Sequence, residues 1–146
     1  MRQFLVVFAA LLIFPQRIIA SVVINEFLPA PSSGNSEWVE FYNPDTSSED
    51  LSNYYFDDDT NFDSDSGSSG KIALSGLLSS NGLCYLDLST YLNNNGDTPT
   101  IFKLDGSQID SYQYASSSAD KSYARVPDGG SWQGNKTPSK SSSKCS

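Results

Sequence analysis

The sequence predicts an all-β protein, a sandwich of about eight short antiparallel strands. Three observations carry this. Apolar and aromatic residues fall in short runs without a helical period, Pro, Gly, Asn and Asp punctuate the runs, and the chain holds eight tyrosines and eight phenylalanines. Aromatic side chains suit a half-buried pleated surface and supply much of the area a sandwich core needs.

Residues 22–28 (VVINEFL) form the first predicted strand, ended by Pro29 and Pro31. Residues 37–43 (EWVEFYN) form the second, in which Trp38, Glu40 and Tyr42 alternate with Val39 and Phe41 before Pro44 closes it. Residues 53–58 (NYYFDD) are the third strand, 71–75 (KIALS) the fourth and 83–89 (LCYLDLS) the fifth. The sixth, 98–104, and the seventh, 107–114, flank Asp105-Gly106, a pair that adopts the positive φ values of a tight hairpin. Residues 121–126 (KSYARV) are the eighth, and PDGG turns the chain into a short SWQ end. From Gly134 onward the chain is Ser, Lys, Thr and Pro with too little apolar content to order it, so 134–146 is expected to be a flexible tail.

The 146 residues allow one domain. The first twenty do not resemble part of it. Arg2 precedes an unbroken apolar run over 4–14, then Pro15, Gln16 and Arg17, and Ala20 offers a small residue before a cut. This is the pattern of a secretory signal peptide over 1–20, cut after Ala20, with an uncleaved anchor as the other reading. The run is shorter than the roughly 20 residues that span a bilayer. The expected domain is then 21–133, secreted or displayed at the cell surface, with no membrane span after cleavage. Loss of Arg2 and Arg17 leaves seven basic residues against 17 acidic ones, a net charge of −10. That field repels nucleic acid and anionic membranes. The charge is uneven: residues 18–70 carry eleven acids and no Lys or Arg, whereas beyond Asp128 there are three lysines and no acid.

Cys84 shares a strand face with Leu86 and Leu88, the place of a small core residue, while Cys145 lies in the Ser/Lys tail. A disulfide between them would pin the tail to the core; two free thiols is the other reading, and the buried position of Cys84 weighs against easy access.

The chain has no histidine, which excludes Ser-His-Asp and Cys-His catalysis and His-ligated metal sites. No phosphate-binding glycine motif is present. Ser68-Ser69-Gly70-Lys71 and Ser118-Ala119-Asp120-Lys121 match S-x-x-K, a chance event in a serine-rich chain without the companion motifs. Glu26, Glu37 and Glu40 are the strand carboxylates that a secreted hydrolase could use. Strict alternation is expected to put Asn25 and Glu26 on opposite faces of one strand, with one of them inward. The structural expectation is a pair between Glu26 and Arg125, the only arginine after residue 20.

The stretch 57–70 (DDDTNFDSDSGSSG) holds oxygen ligands at alternate positions, as a calcium loop does. It is not an EF-hand. In the register from Asp57, Phe62 stands where glycine is required; in the register from Asn61, Ser66 does, and the twelfth position is Ile72. A different calcium loop with Asp57, Asp59, Asp63 and Asp65 as ligands and a solvated turn are the remaining readings. Asn135-Lys136-Thr137 is a formal N-glycosylation sequon.

VVINEFLPAP, SEWVEFYNP, Leu51-Ser52 before an aromatic strand and DDD, LNNNGDT, LDGSQIDSYQY, KSYARVPDGGSW and the late Thr-Pro follow one another in the order of a known pattern. From residue 22 to about 138 the chain resembles the lamin tail domain, in the form found in secreted prokaryotic proteins. Two positions depart from the pattern: Asn53 stands where glycine is common, and SKSSSKCS replaces Gly-x-x-Asn after the late Thr-Pro. The resemblance implies an immunoglobulin-like β-sandwich and a module that attaches or interacts rather than catalyses. The expected partner is a protein, a glycan or an envelope component, with Trp38, Tyr54, Tyr55 and the 57–65 loop as candidate contacts. Calcium-dependent adhesion through that loop is the alternative, and the hydrolase is the rival from another class.

Overall fold

The computed structural model describes residues 22–63 and 70–145. The expected signal peptide over 1–20 and the candidate ligand Asp65 lie outside the described residues. Among these, eleven strands form: β1 (Val23–Leu28), β2 (Glu37–Tyr42), β3 (Glu49–Asp50), β4 (Tyr54–Asp57), β5 (Ile72–Ala73), β6 (Leu77–Leu78), β7 (Leu83–Leu88), β8 (Thr100–Lys103), β9 (Gln108–Ser111), β10 (Ser122–Val126) and β11 (Ser131–Lys136). They build a five-stranded sheet in the order β11-β10-β1-β2-β7, a four-stranded sheet in the order β5-β4-β8-β9, and a β3-β6 ribbon, with every pair antiparallel. The all-β sandwich is therefore as the sequence predicts. No helix among the described residues is long and apolar enough to cross a membrane.

Strand alternation decides what is buried. Phe27, Val39 and Phe41 of the larger sheet face Tyr54, Phe56 and Ile101 of the smaller one, and all are fully buried. Each such side chain contributes about 1.5–3 kcal/mol through the area it removes from water. The Phe41 and Phe56 rings meet edge to face at 5.8 Å across the two sheets. The Asp105-Gly106 hairpin forms between β8 and β9, with Gly106 at φ +82° and its N–H bonded to the Lys103 carbonyl at 3.0 Å.

Three strands go beyond the predicted eight. β3 and β6 are two residues each, too short for a pattern to register. β11 (SWQGNK) is polar and pairs along β10, with Arg125 opposite Trp132 and Val126 opposite Ser131. The domain boundary at residue 133 consequently falls inside a strand. The segment expected to be a flexible tail is held: its first residues complete β11, and residues 138–145 lie as a strap along the larger sheet, bonded through Ser139, Ser141 and Cys145. Asn135, the sequon residue, is exposed within β11.

Candidate functional site

The strap rests on the outer face of β1, β2 and β7. Register places Glu26 opposite Glu40, Glu40 opposite Tyr85, and Trp38 opposite Asp87. All five side chains lie on the face turned away from the core, since Phe27, Val39 and Leu86 take the other. Ser139 N–H donates to Glu26 Oε1 at 3.0 Å, and Ser141 N–H donates to Glu40 Oε2 at 2.7 Å. Asn25 Nδ2 donates to Glu40 Oε1 at 3.2 Å. Under this cover both glutamates are 1% exposed. Burial holds the Glu40 carboxyl above its usual range, opposed by the bonds from Ser141 and Asn25.

Between the two serines Lys140 turns into a cage. Its Nζ is 3.2 Å from Asp87 Oδ1, 4.2 Å from the Tyr85 ring centre and 5.7 Å from that of Trp38. Lys144 Nζ reaches Asp87 Oδ2 at 2.9 Å. The Lys144 bond leads in holding the Asp87 carboxyl below its usual range. Further along, Tyr85 N–H donates to the Ser143 carbonyl at 3.0 Å and Cys145 N–H donates to the Tyr85 carbonyl at 2.8 Å, so the strap meets β7 in a single parallel bridge at Lys144. Cys84 and Cys145 are joined by a disulfide.

A second cluster lies beyond the end of β4. Asp57 is fully buried; its Oδ1 accepts from Asp58 N–H at 2.9 Å and from the Tyr91 hydroxyl at 3.2 Å, while its Oδ2 has no partner. Asp58 is also buried, and desolvation, then the charges of Asp97 and Asp57, push its carboxyl up to about 7. Burial raises Asp57 as well. Asp59 Oδ1 accepts from Asn61 N–H at 2.6 Å, and Asp63 is exposed. Among the described residues no three acidic side chains converge as a metal site. Asp57, Asp59 and Asp63 are thus not gathered round one point, and the buried neighbour of Asp57 is Asp58, which alternate spacing passes over.

The other candidate residues resolve as follows. Arg125 does not pair with Glu26. It forms a two-pronged bond with Asp110 at 2.8 and 3.0 Å, donates to the carbonyls of Ile24 and Gly130, and lies over Trp132 at 4.6 Å. The reason is register: Glu26 faces Ala124, so Arg125 projects from the opposite side of β10. Trp38, 3% exposed, is covered by the strap, and Tyr54 is wholly within the core, so neither offers the contact expected of it. Tyr55, on the other face of β4, is half-buried against Phe62 at 5.7 Å. Glu37 Oε2 accepts from the N–H groups of Tyr91 and Leu92, both at 2.8 Å, and borders a polar cleft of about 580 Å³.

A family model described as Lamin Tail Domain matches residues 15–116. The chain belongs to the lamin tail domain family. No curated protein and no solved structure matches it. The family carries an immunoglobulin-like fold and is generally non-enzymatic, which suggests an interaction module. In this lamin tail domain the matched segment stops before β10, β11 and the strap, so the covered face combines family strands with a segment beyond the match. Sequence reasoning missed Tyr85, Asp87 and Lys140. The signal for the first two is present: they alternate with Cys84, Leu86 and Leu88 and so form the other face of that strand. For Lys140 there is no local signal, because only the fold brings it to β7.

Proposed function

We propose that the chain is a secreted, non-catalytic binding module whose partner is a protein. The observation that carries this is how the strand carboxylates are used: Glu26, Glu37 and Glu40 each accept backbone N–H groups, the work of structural anchors. The disulfide supports a location outside the reducing cytosol. The acidic body, with 17 acids against nine basic residues in the whole chain, favours a basic or neutral partner. Disulfide-intact protein on a solid support is expected to capture a protein from the extracellular fraction saturably, with free domain competing, and to turn over neither polysaccharide nor nucleic acid. Capture that survives protease treatment would point to a glycan or envelope polymer instead. Turnover abolished by Glu40→Gln at unchanged melting temperature would establish the hydrolase.

A second reading, calcium-dependent adhesion, is favoured by the unpartnered Asp57 Oδ2 beside the Asp58 carboxyl. A divalent cation there would supply the positive charge that buried carboxylates need. Melts in millimolar calcium and in chelator are expected to differ by several degrees for a micromolar Kd, by ligand linkage. Coincident melts would sink this reading.

A further inference from the structure

We propose that the outer face of β1, β2 and β7 is a seat for an extended peptide carrying lysine between two small hydroxyl residues, which the strap occupies and the Cys84–Cys145 disulfide keeps shut. This goes beyond the binding-module reading, which concerns the disulfide-intact domain, because the seat opens only on reduction.

The first argument is the cost of the face. Two glutamates stand directly opposite each other on neighbouring strands and are 1% exposed. Like charges in that position destabilise a sheet, and buried carboxylates are expensive without donors. Apolar residues would cover a sheet with less penalty. What the pair provides is a recognition geometry: two acceptors spaced for the N–H groups of residues i and i+2 of an extended chain, here Ser139 and Ser141.

The second argument is the cage at i+1. Lys140 meets the Asp87 carboxylate and the Tyr85 ring of β7 and the Trp38 ring of β2. Aromatic faces and a carboxylate together make a cation receptor selective for an ammonium on a long stem. A second lysine four residues on, Lys144, shares Asp87, which widens the preference to a peptide with two spaced basic residues.

The third argument concerns what holds the strap. Residues 139, 140, 142, 143 and 144 are exposed, and the strap contributes serine and lysine rather than apolar side chains. Its grip is a set of polar contacts, each weak in net terms, and one covalent bond. With the covalent bond gone a competing peptide of the same chemistry can displace it. Opening needs a dithiol reductant: its two thiols give up two electrons and two protons and close to a disulfide, and the Cys84–Cys145 bond takes them and becomes two thiols.

The test uses the full chain and the fluorescent peptide Pro-Ser-Lys-Ser-Ser-Ser-Lys, read by anisotropy, with a thermal melt alongside to show that each sample is folded. Oxidised protein should not bind it. Protein reduced with dithiothreitol should bind saturably, and the Lys140→Glu variant, whose own strap is weakened, should bind more tightly by about fivefold or more. Asp87→Asn should weaken the reduced protein by about tenfold. A peptide with glutamate in place of the first lysine should not bind. Folded reduced protein that ignores the peptide at millimolar concentration overturns the proposal, and so does equal binding by both redox forms. Dimerisation of the reduced protein without peptide capture would assign the seat to a second copy's strap and overturn the partner proposed. Should the reduced protein unfold, disulfide-intact Lys140→Ala keeps the question open to measurement. Its emptied cage should take Nα-acetyl-lysine amide but not the norleucine analogue, read from the Trp38 indole N–H resonance, and no response to either overturns the proposal. Capture of a protein by the oxidised module would survive all of these failures, so the broader reading is judged separately.

Discussion

The Cys145→Ser variant is expected to melt on the order of 10 °C below the parent, with loss of strap contacts at Glu26 and Glu40. The disulfide joins residues 61 apart in sequence. In the chain-entropy account a loop of that length is worth about 4 kcal/mol, because the cross-link removes conformations from the unfolded chain. A further loss comes from the strap itself, whose N–H groups no longer serve two carboxylates that stand opposite each other. Hydration of the uncovered face opposes this loss, so the entropic part sets the size. Cys84→Ser is expected to cost more, since it also places a hydroxyl at a position only 4% exposed in the core. Melts of the parent with and without reductant, and of both variants, check this ordering. A shift below about 3 °C for Cys145→Ser would show that the denatured chain is not the main seat of the effect.

The Asp58→Asn variant is expected to be more stable than the parent at pH 8 by a few degrees, and to lose that advantage at pH 4. Asp58 is raised from 3.8 to about 7 by burial and by the charges of Asp97 and Asp57. Between those two pH values the folded protein holds a proton that the unfolded chain has released. The contribution is therefore fully present below about 3.8 and is lost as pH rises through about 7. Asparagine never ionises, so the variant keeps through pH 8 what the parent gives up. Asp57 and Glu40, also raised, tilt the parent curve the same way, while Asp50, Asp87 and Asp105, all lowered by hydrogen bonds, tilt it the other way. The difference between parent and variant isolates Asp58, and it is taken in chelator so that no cation masks it. Curves that stay parallel from pH 4 to pH 8 would remove Asp58 from the account.

The fold was legible where one strand carries its own evidence. Residues 37–42 alternate, and both faces can be read from the sequence: Val39 and Phe41 in the core, Trp38 and Glu40 on the other side. Gly106 marks its hairpin without outside help. What was not legible depends on residues that are distant in the chain. The expected Glu26–Arg125 pair does not form because register with β10 turns Arg125 toward Asp110 and Glu26 toward Ser139. Trp38 sits on the outward face, but exposure does not follow, since a polar segment a hundred residues later covers it. β11 lacks apolar alternation because it is an edge strand with one packed residue, Trp132, stacked on Tyr112 at 4.4 Å. Alternate spacing in the acidic loop leaves a calcium loop and a solvated turn open, whereas the chain leaving β4 buries two consecutive aspartates, Asp57 and Asp58.

β1 occupies the middle of the larger sheet, between β2 and β10. One of its ladders closes almost at once, through residues 37–42, and the other waits for residues 122–126. Until β10 docks, β1 offers a bare rail of N–H and C=O groups on its unpaired side. Non-local pairing of this kind slows folding more than it weakens the final state. The vulnerable period for self-association is then the interval between the two dockings, and crowding or a slow late strand lengthens it without altering a single contact of the finished protein.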